Sequence, residues 1–133
     1  MLISTKKKVI KYLSPCYPGK KHDFSLLKTE FPPEQLWFKN FTIRVDFCYL
    51  GIADQYQCKN IYIPYKKSKK NPLTDAQKLT NKQFASERIV VEQSISGLKR
   101  FRFLSDRLRI HDVDLYNEIF GVCAGLWNFY LAN

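Results

Sequence analysis

Only two histidines occur in the chain, no cysteine pair has C-x-x-C spacing, and no Asp or Glu precedes Asp23. The four cysteines, Cys16, Cys48, Cys58 and Cys123, have only His22 and His111 to join them. That spacing speaks against a zinc site. The basic opening, residues 1–8, is not followed by an apolar run of signal-peptide length, so reduced thiols and a cytoplasmic location are expected. The most apolar segment, residues 119–132, is shorter than the roughly 20 residues a bilayer span needs, and reads as a buried helix. No membrane partner is expected. Repeats, low-complexity tracts and a domain-splitting linker are all missing, so residues 1–133 are expected to form a single domain of modest core.

Base is plentiful. Lys and Arg number 22 against 12 acids, a net charge of +10, which favours a polyanionic partner, most simply nucleic acid. Hydrophobic residues make up 45% and aromatics 15%, enough for a globular rather than a disordered chain.

Residues 7–14, KKVIKYLS, read as a strand that the Pro15 to Pro18 stretch stops. Lys6, Lys7 and Lys8 solvate an edge. Pro18-Gly19 predicts a turn. His22-Asp23-Phe24 opens a short helix, with Asp23 as its expected cap, and Pro32-Pro33 ends it. Residues 41–49, FTIRVDFCY, alternate along their whole length. Ile43, Val45, Phe47 and Tyr49 take one face; Thr42, Arg44, Asp46 and Cys48 take the other. Gly51 follows as a turn. Asp46 is either a metal ligand or a solvent-facing aspartate capping the next element.

Residues 60–65, NIYIPY, make a further short strand whose end Pro64 keeps out of a central ladder. The basic loop Lys66-Lys67-Ser68-Lys69-Lys70-Asn71-Pro72 is a solvated charge run or a sequence-independent phosphate clamp. Thr74-x-x-Gln77 is a capping box, and Asp75 favours the same helix start. That helix is expected to run past Phe101, with Asn81 as its candidate break. Arg100, Arg102, Arg107 and Arg109 interleave with Phe101, Phe103, Leu104, Leu108 and Ile110. The apolar members are assigned to packing and the arginines to DNA backbone. Asp112 or Asp114 caps a final helix striped by Tyr116, Ile119, Phe120, Cys123, Leu126, Trp127 and Tyr130, which should pack on the sheet or on the preceding helix.

The organising stretch is residues 85–102, ASERIVVEQSISGLKRFR. Phe84, Arg88, Val91, Glu92, Ile95, Leu98 and Lys99 recur at steps of three and four, which predicts a helix. Glu92 is the one acid on that stripe. Arg88 lies one turn before it and Lys99 two turns after, on the same side. A carboxylate among apolar neighbours needs a cation. One reading is an Arg88–Glu92 helix pair beside a core. The other is a metal-binding carboxylate with bases set for phosphate.

The run R-x-x-x-E-x-x-x-x-x-x-K, met by Arg88, Glu92 and Lys99, resembles the signature around the last acid of DDE transposases. These are encoded by short bacterial insertion sequences and Harbinger-like relatives. Ala85 stands where many members carry tyrosine. Asp46, Tyr49, Leu50 and Gly51 resemble the family's strand-end aspartate followed by G-Y-x-G. Cys48 replaces the first glycine, and a positive φ there would strain it. The piece G-x-x-H-D-x-x-x-L-K, from Gly19 to Lys28, is also similar and lies outside the acidic triad. So is a strand ending in proline and lysine before the last catalytic helix.

The resemblance implies an α/β, RNase H-like fold, here incomplete: a few strands, a long catalytic helix and a C-terminal packing helix. In that family two strand aspartates and one helix glutamate hold two Mg²⁺ or Mn²⁺ ions. It implies Asp46 and Glu92 as catalytic, metal-binding residues, and Lys66, Lys67, Arg88, Lys99 and Arg102 as DNA contacts. The partner would be double-stranded DNA, both transposon ends and target. Water would free a 3′-hydroxyl, which would then attack the target strand.

The family's first aspartate lies upstream of the G-x-x-H-D piece, where this chain has no acid. The resemblance therefore covers the latter part of the catalytic domain, with the opening strands and the DNA-end-binding region expected to be missing. An upstream frame product or a full-length transposase is expected to supply the missing aspartate. The strand bearing Asp46 would lack a neighbour, so low stability is expected of the chain alone. The alternatives are a non-catalytic basic DNA-binding remnant and a metal-dependent nuclease of the same fold.

Overall fold

The computed structural model of the chain describes residues 1–17, 19–68, 72–106 and 112–133. In chain order they form β1 (Leu2–Ser4), β2 (Ile10–Leu13), α1 (Asp23–Glu30), β3 (Thr42–Arg44), α2 (Ile52–Gln55), β4 (Asn60–Tyr62), α3 (Asp75–Lys99), α4 (Arg102–Ser105) and α5 (Val113–Ala132). A 3-10 turn spans Phe47–Tyr49. The fold is mixed α/β, with short strands, one long central helix and a C-terminal helix, as the resemblance implies. Pro18 of the expected turn, Lys69, Lys70 and Asn71 of the basic loop, and Arg107, Leu108, Arg109 and Ile110 lie outside the described residues. Two compact units divide the chain: Met1–Tyr17 with Glu87–Asn133, and Pro18–Ser86.

In the first unit β1 and β2 pair antiparallel, Leu2 opposite Leu13 and Ile3 opposite Tyr12. The strand expected over residues 7–14 is confined to Ile10–Leu13, because the chain turns before it. Thr5 donates to the Val9 carbonyl and Lys8 to the Thr5 carbonyl, each at 2.9 Å. Lys8 adopts a left-handed φ of 65°, which is unfavourable for a residue with a Cβ. Its carbonyl is held there by two donors, Ser94 Oγ at 3.0 Å and Trp127 Nε1 at 3.1 Å. Asn128 then grips Ile10, accepting from its N–H at 2.8 Å and donating to its carbonyl at 2.9 Å. A side-chain amide thus stands where a neighbouring strand would.

The core of this unit is Ile10, Leu98, Cys123, Ala124 and Trp127, flanked by Leu2, Leu13, Phe101, Ile119 and Phe120. α5 packs on β2 and on the end of α3, as its stripe predicts, and Asp112 is its cap, accepting from the N–H groups of Asp114 and Leu115. Leu126 and Tyr130, expected on the buried stripe, are exposed. The buried face of α3 also differs from expectation. Ser94, Gly97 and Leu98 are its buried residues, while Val91 and Ile95 are 37% and 38% exposed. The Trp127 ring decides this, since it needs a residue without a side chain opposite it, and Gly97 provides one. α3 stops at Lys99 instead of passing Phe101. The Arg100 and Phe101 amides turn back to the carbonyls of Gly97 and Leu98, three residues behind, which tightens the end.

In the second unit the α1 cap is His22, whose Nδ1 accepts from Phe24 N–H at 3.3 Å. Asp23, the expected cap, falls instead in the first turn, where its charge suits the helix dipole. Phe31, Trp37, Phe38 and Tyr56 cluster after α1, and the Tyr56 hydroxyl donates to the Phe31 carbonyl at 2.6 Å. β3 and β4 pair parallel, Ile43 opposite Ile61. β3 covers three residues of the nine that alternate, because Asp46 takes the Phe47 N–H and starts the 3-10 turn. Cys48 sits within that turn; Gly51, at φ 91°, is the residue with positive φ there. The capping box of α3 forms both ways, Thr74 N–H to Gln77 Oε1 at 3.0 Å and Gln77 N–H to Thr74 Oγ1 at 3.3 Å. α3 runs unbroken through Asn81, whose amide accepts from the N–H of Tyr65 at 2.8 Å and donates to its carbonyl at 2.9 Å. Among the described residues each sheet has two strands, so helix packing carries most of the stability.

Candidate functional site

Asp46 stands directly after β3, half-buried, with Oδ1 accepting from the Phe47 N–H at 2.7 Å and its carbonyl accepting from Tyr49 N–H at 3.0 Å. The cap fixes the carboxylate against backbone. Close behind, Gly51 makes the left-handed turn into α2, and a Cβ there would lie 3.7 Å from the Phe24 ring of α1. Tyr49 is the most perturbed group of this unit. Burial, then the negative charges of Asp23, Cys48 and Asp46, push its phenol up to about 12. Asp23 and Asp46, read separately in the sequence, therefore act on one tyrosine.

The sign of that shift makes a prediction. Folding favours the neutral phenol, so the stabilisation is complete below the ordinary value near 10 and is lost as pH rises through about 12. An alkaline titration by tyrosinate absorbance should show a late phase near pH 12 that Tyr49→Phe removes. Thermal stability of the parent should fall more steeply between those two pH values than that of the variant. A parent that titrates as fully as the variant would contradict this.

Base surrounds the same unit. Lys66 and Lys67 are exposed beyond β4. The Arg44 guanidinium lies 4.9 Å over the Tyr62 ring, which meets Phe84 edge-on at 5.6 Å.

In the first unit Glu92 meets Arg88, Nε to Oε1 at 3.2 Å, with side chains 57% and 58% exposed. The helix pair is thus present, and the carboxylate faces solvent instead of apolar neighbours. Lys99 is exposed at the last turn of α3. Arg102 begins α4, with Nε 3.9 Å from Asp106 Oδ2. Arg100 lies over two rings, 5.5 Å from that of Trp127 and 5.4 Å from that of Tyr130.

Asp46 and Glu92 belong to different units. Carboxylate oxygens are the donors that hard divalent cations take, so the donor chemistry fits magnesium or manganese. The donor number does not: among the described residues no three His, Cys, Asp or Glu side chains gather to hold a metal ion. No described helix is long and apolar enough to cross a membrane.

Sequence reasoning missed the two asparagines that grip backbone, because an amide pairing with a strand leaves no spacing signal. It grouped Arg100 with three other arginines; the i, i+3 placement of Trp127 and Tyr130 is the trace that could have singled it out.

No curated protein and no solved structure matches the chain. The family of DDE superfamily endonucleases matches residues 1–128. Enzymes of the DDE type are nucleases and transposases that act on DNA and generally use divalent metal ions. Matched over residues 1–128, nearly its whole length, the chain belongs to the DDE superfamily endonucleases.

Proposed function

We propose that the chain takes part in DNA strand cleavage and strand transfer as the latter catalytic portion of a transposase, with Asp46 and Glu92 as metal ligands. The family match over residues 1–128 carries this reading. The site residues support it chemically. Asp46 is held by its cap to the Phe47 amide, and Glu92 lies beside Arg88 on an exposed helix face where a cation can reach it. Lys66, Lys67, Lys99 and Arg102 hold backbone phosphates, and Arg88 orients Glu92.

The test is strand cleavage of a supercoiled plasmid by the chain, alone and with a full-length transposase, under Mg²⁺, Mn²⁺ or chelator. Nicking that needs either ion supports the reading, and joining of a cut end to a second duplex separates transposition from plain nuclease action. Duplex binding without cleavage under every metal would replace it with a non-catalytic DNA-binding module, which the net charge of +10 also favours.

A further inference from the structure

We propose that Arg100, stacked on Trp127 and Tyr130, is a preset clamp for a backbone phosphate of DNA. The inference rests on the DNA-directed function proposed above and adds a residue and a mechanism to it. Trp127 and Tyr130 stack at 5.8 Å and 27°, and the Arg100 guanidinium carbon is 5.5 and 5.4 Å from their ring centres. Both distances lie within the roughly 6 Å over which a cation is drawn to a ring face. The guanidinium carries its N–H donors in a planar fork that can match two phosphate oxygens.

Three features make the clamp specific to Arg100. Arg88 and Arg102 face Glu92 and Asp106, whereas among the described residues no carboxylate pairs with Arg100. The Trp127 side of the platform is anchored, since that ring is 6% exposed and tied through Nε1 to the Lys8 carbonyl. The Arg100 backbone N–H donates to the Gly97 carbonyl at 3.3 Å, which fixes where the side chain leaves the helix end. A side chain already ordered loses less rotamer freedom on binding than a free one.

The test is duplex affinity of the full chain by fluorescence anisotropy at several salt concentrations, with near-ultraviolet ellipticity to verify each fold. Arg100→Gln should weaken binding about five- to tenfold and lower the salt slope by about 0.9, one phosphate contact. Tyr130→Leu keeps every charge and removes an exposed ring, yet should weaken binding about threefold, beyond what charge alone allows. Arg100→Lys should fall between parent and Arg100→Gln. Parental affinity for Tyr130→Leu and Arg100→Lys overturns the clamp. If the parent binds and cleaves DNA while Arg100→Gln changes nothing, this inference alone falls; if the parent binds no duplex, both readings fall.

Discussion

Gly97→Ala is expected to destabilise the chain by about 2 kcal/mol, although alanine is the better helix former. A Cβ at Gly97 would lie 2.5 Å from Cε3 and Cζ3 of Trp127 and 2.6 Å from Cδ2. The ring has nowhere to retreat, since it is buried, hydrogen-bonded to Lys8 and stacked on Tyr130. Helix propensity favours alanine by roughly 1 kcal/mol. Overpacking opposes it by about 1–3 kcal/mol, and a displaced indole loses a hydrogen bond worth about 1 kcal/mol. The opposing effects win, and the melting temperature should drop by roughly 5 °C or more. The coupling is the sharper observation. With Trp127→Ala already in place the clash is gone, so the same Gly97→Ala change should become neutral or stabilising in urea unfolding. Equal losses in both backgrounds would mean that the ring is not what Gly97 accommodates.

Glu92→Gln is expected to abolish strand cleavage and leave duplex affinity near that of the parent. Glutamine keeps the shape and removes the charge that a divalent ion requires. On the metal-ligand role proposed for Glu92, the stabilisation lost would be several kcal/mol, and at 1.36 kcal/mol per tenfold in rate a loss of at least about a hundredfold is expected. The fold should survive, because the Arg88 pair is more than half exposed and such pairs contribute under about 1 kcal/mol. Asp46→Asn should behave alike, since asparagine caps as well as aspartate and can keep the Phe47 amide satisfied. A plasmid-nicking assay beside a melting curve measures both. Parental cleavage by Glu92→Gln would leave Glu92 as a helix-surface partner of Arg88 and no more.

What could be read from the sequence was local. The Thr74–Gln77 box starts α3 because its hydrogen bonds connect residues three apart, and Asp112 caps α5 by the same short-range chemistry. Alternation over residues 41–49 predicts nine residues of strand, yet one side-chain hydrogen bond from Asp46 ends it. Periodicity alone could not orient α3, since two of its three buried residues, Ser94 and Gly97, are small or polar. They face inward because Lys8 needs a donor and Trp127 needs space, and both of those partners are distant in the chain. Of the candidate site, the acids and bases were legible as residue types. Their settings were not: the field of Asp23 at Tyr49 and the stacking of Arg100 depend on tertiary placement.

The Asn128 amide also bears on self-association. Strand edges with open N–H and C=O groups invite other chains to add to them. β2 has one strand neighbour among the described residues, and Asn128 occupies both polar groups of Ile10 on that strand. At Ile10 α5 therefore acts as a stopper against fibril-like growth from the β2 edge, and it does so with one side-chain amide.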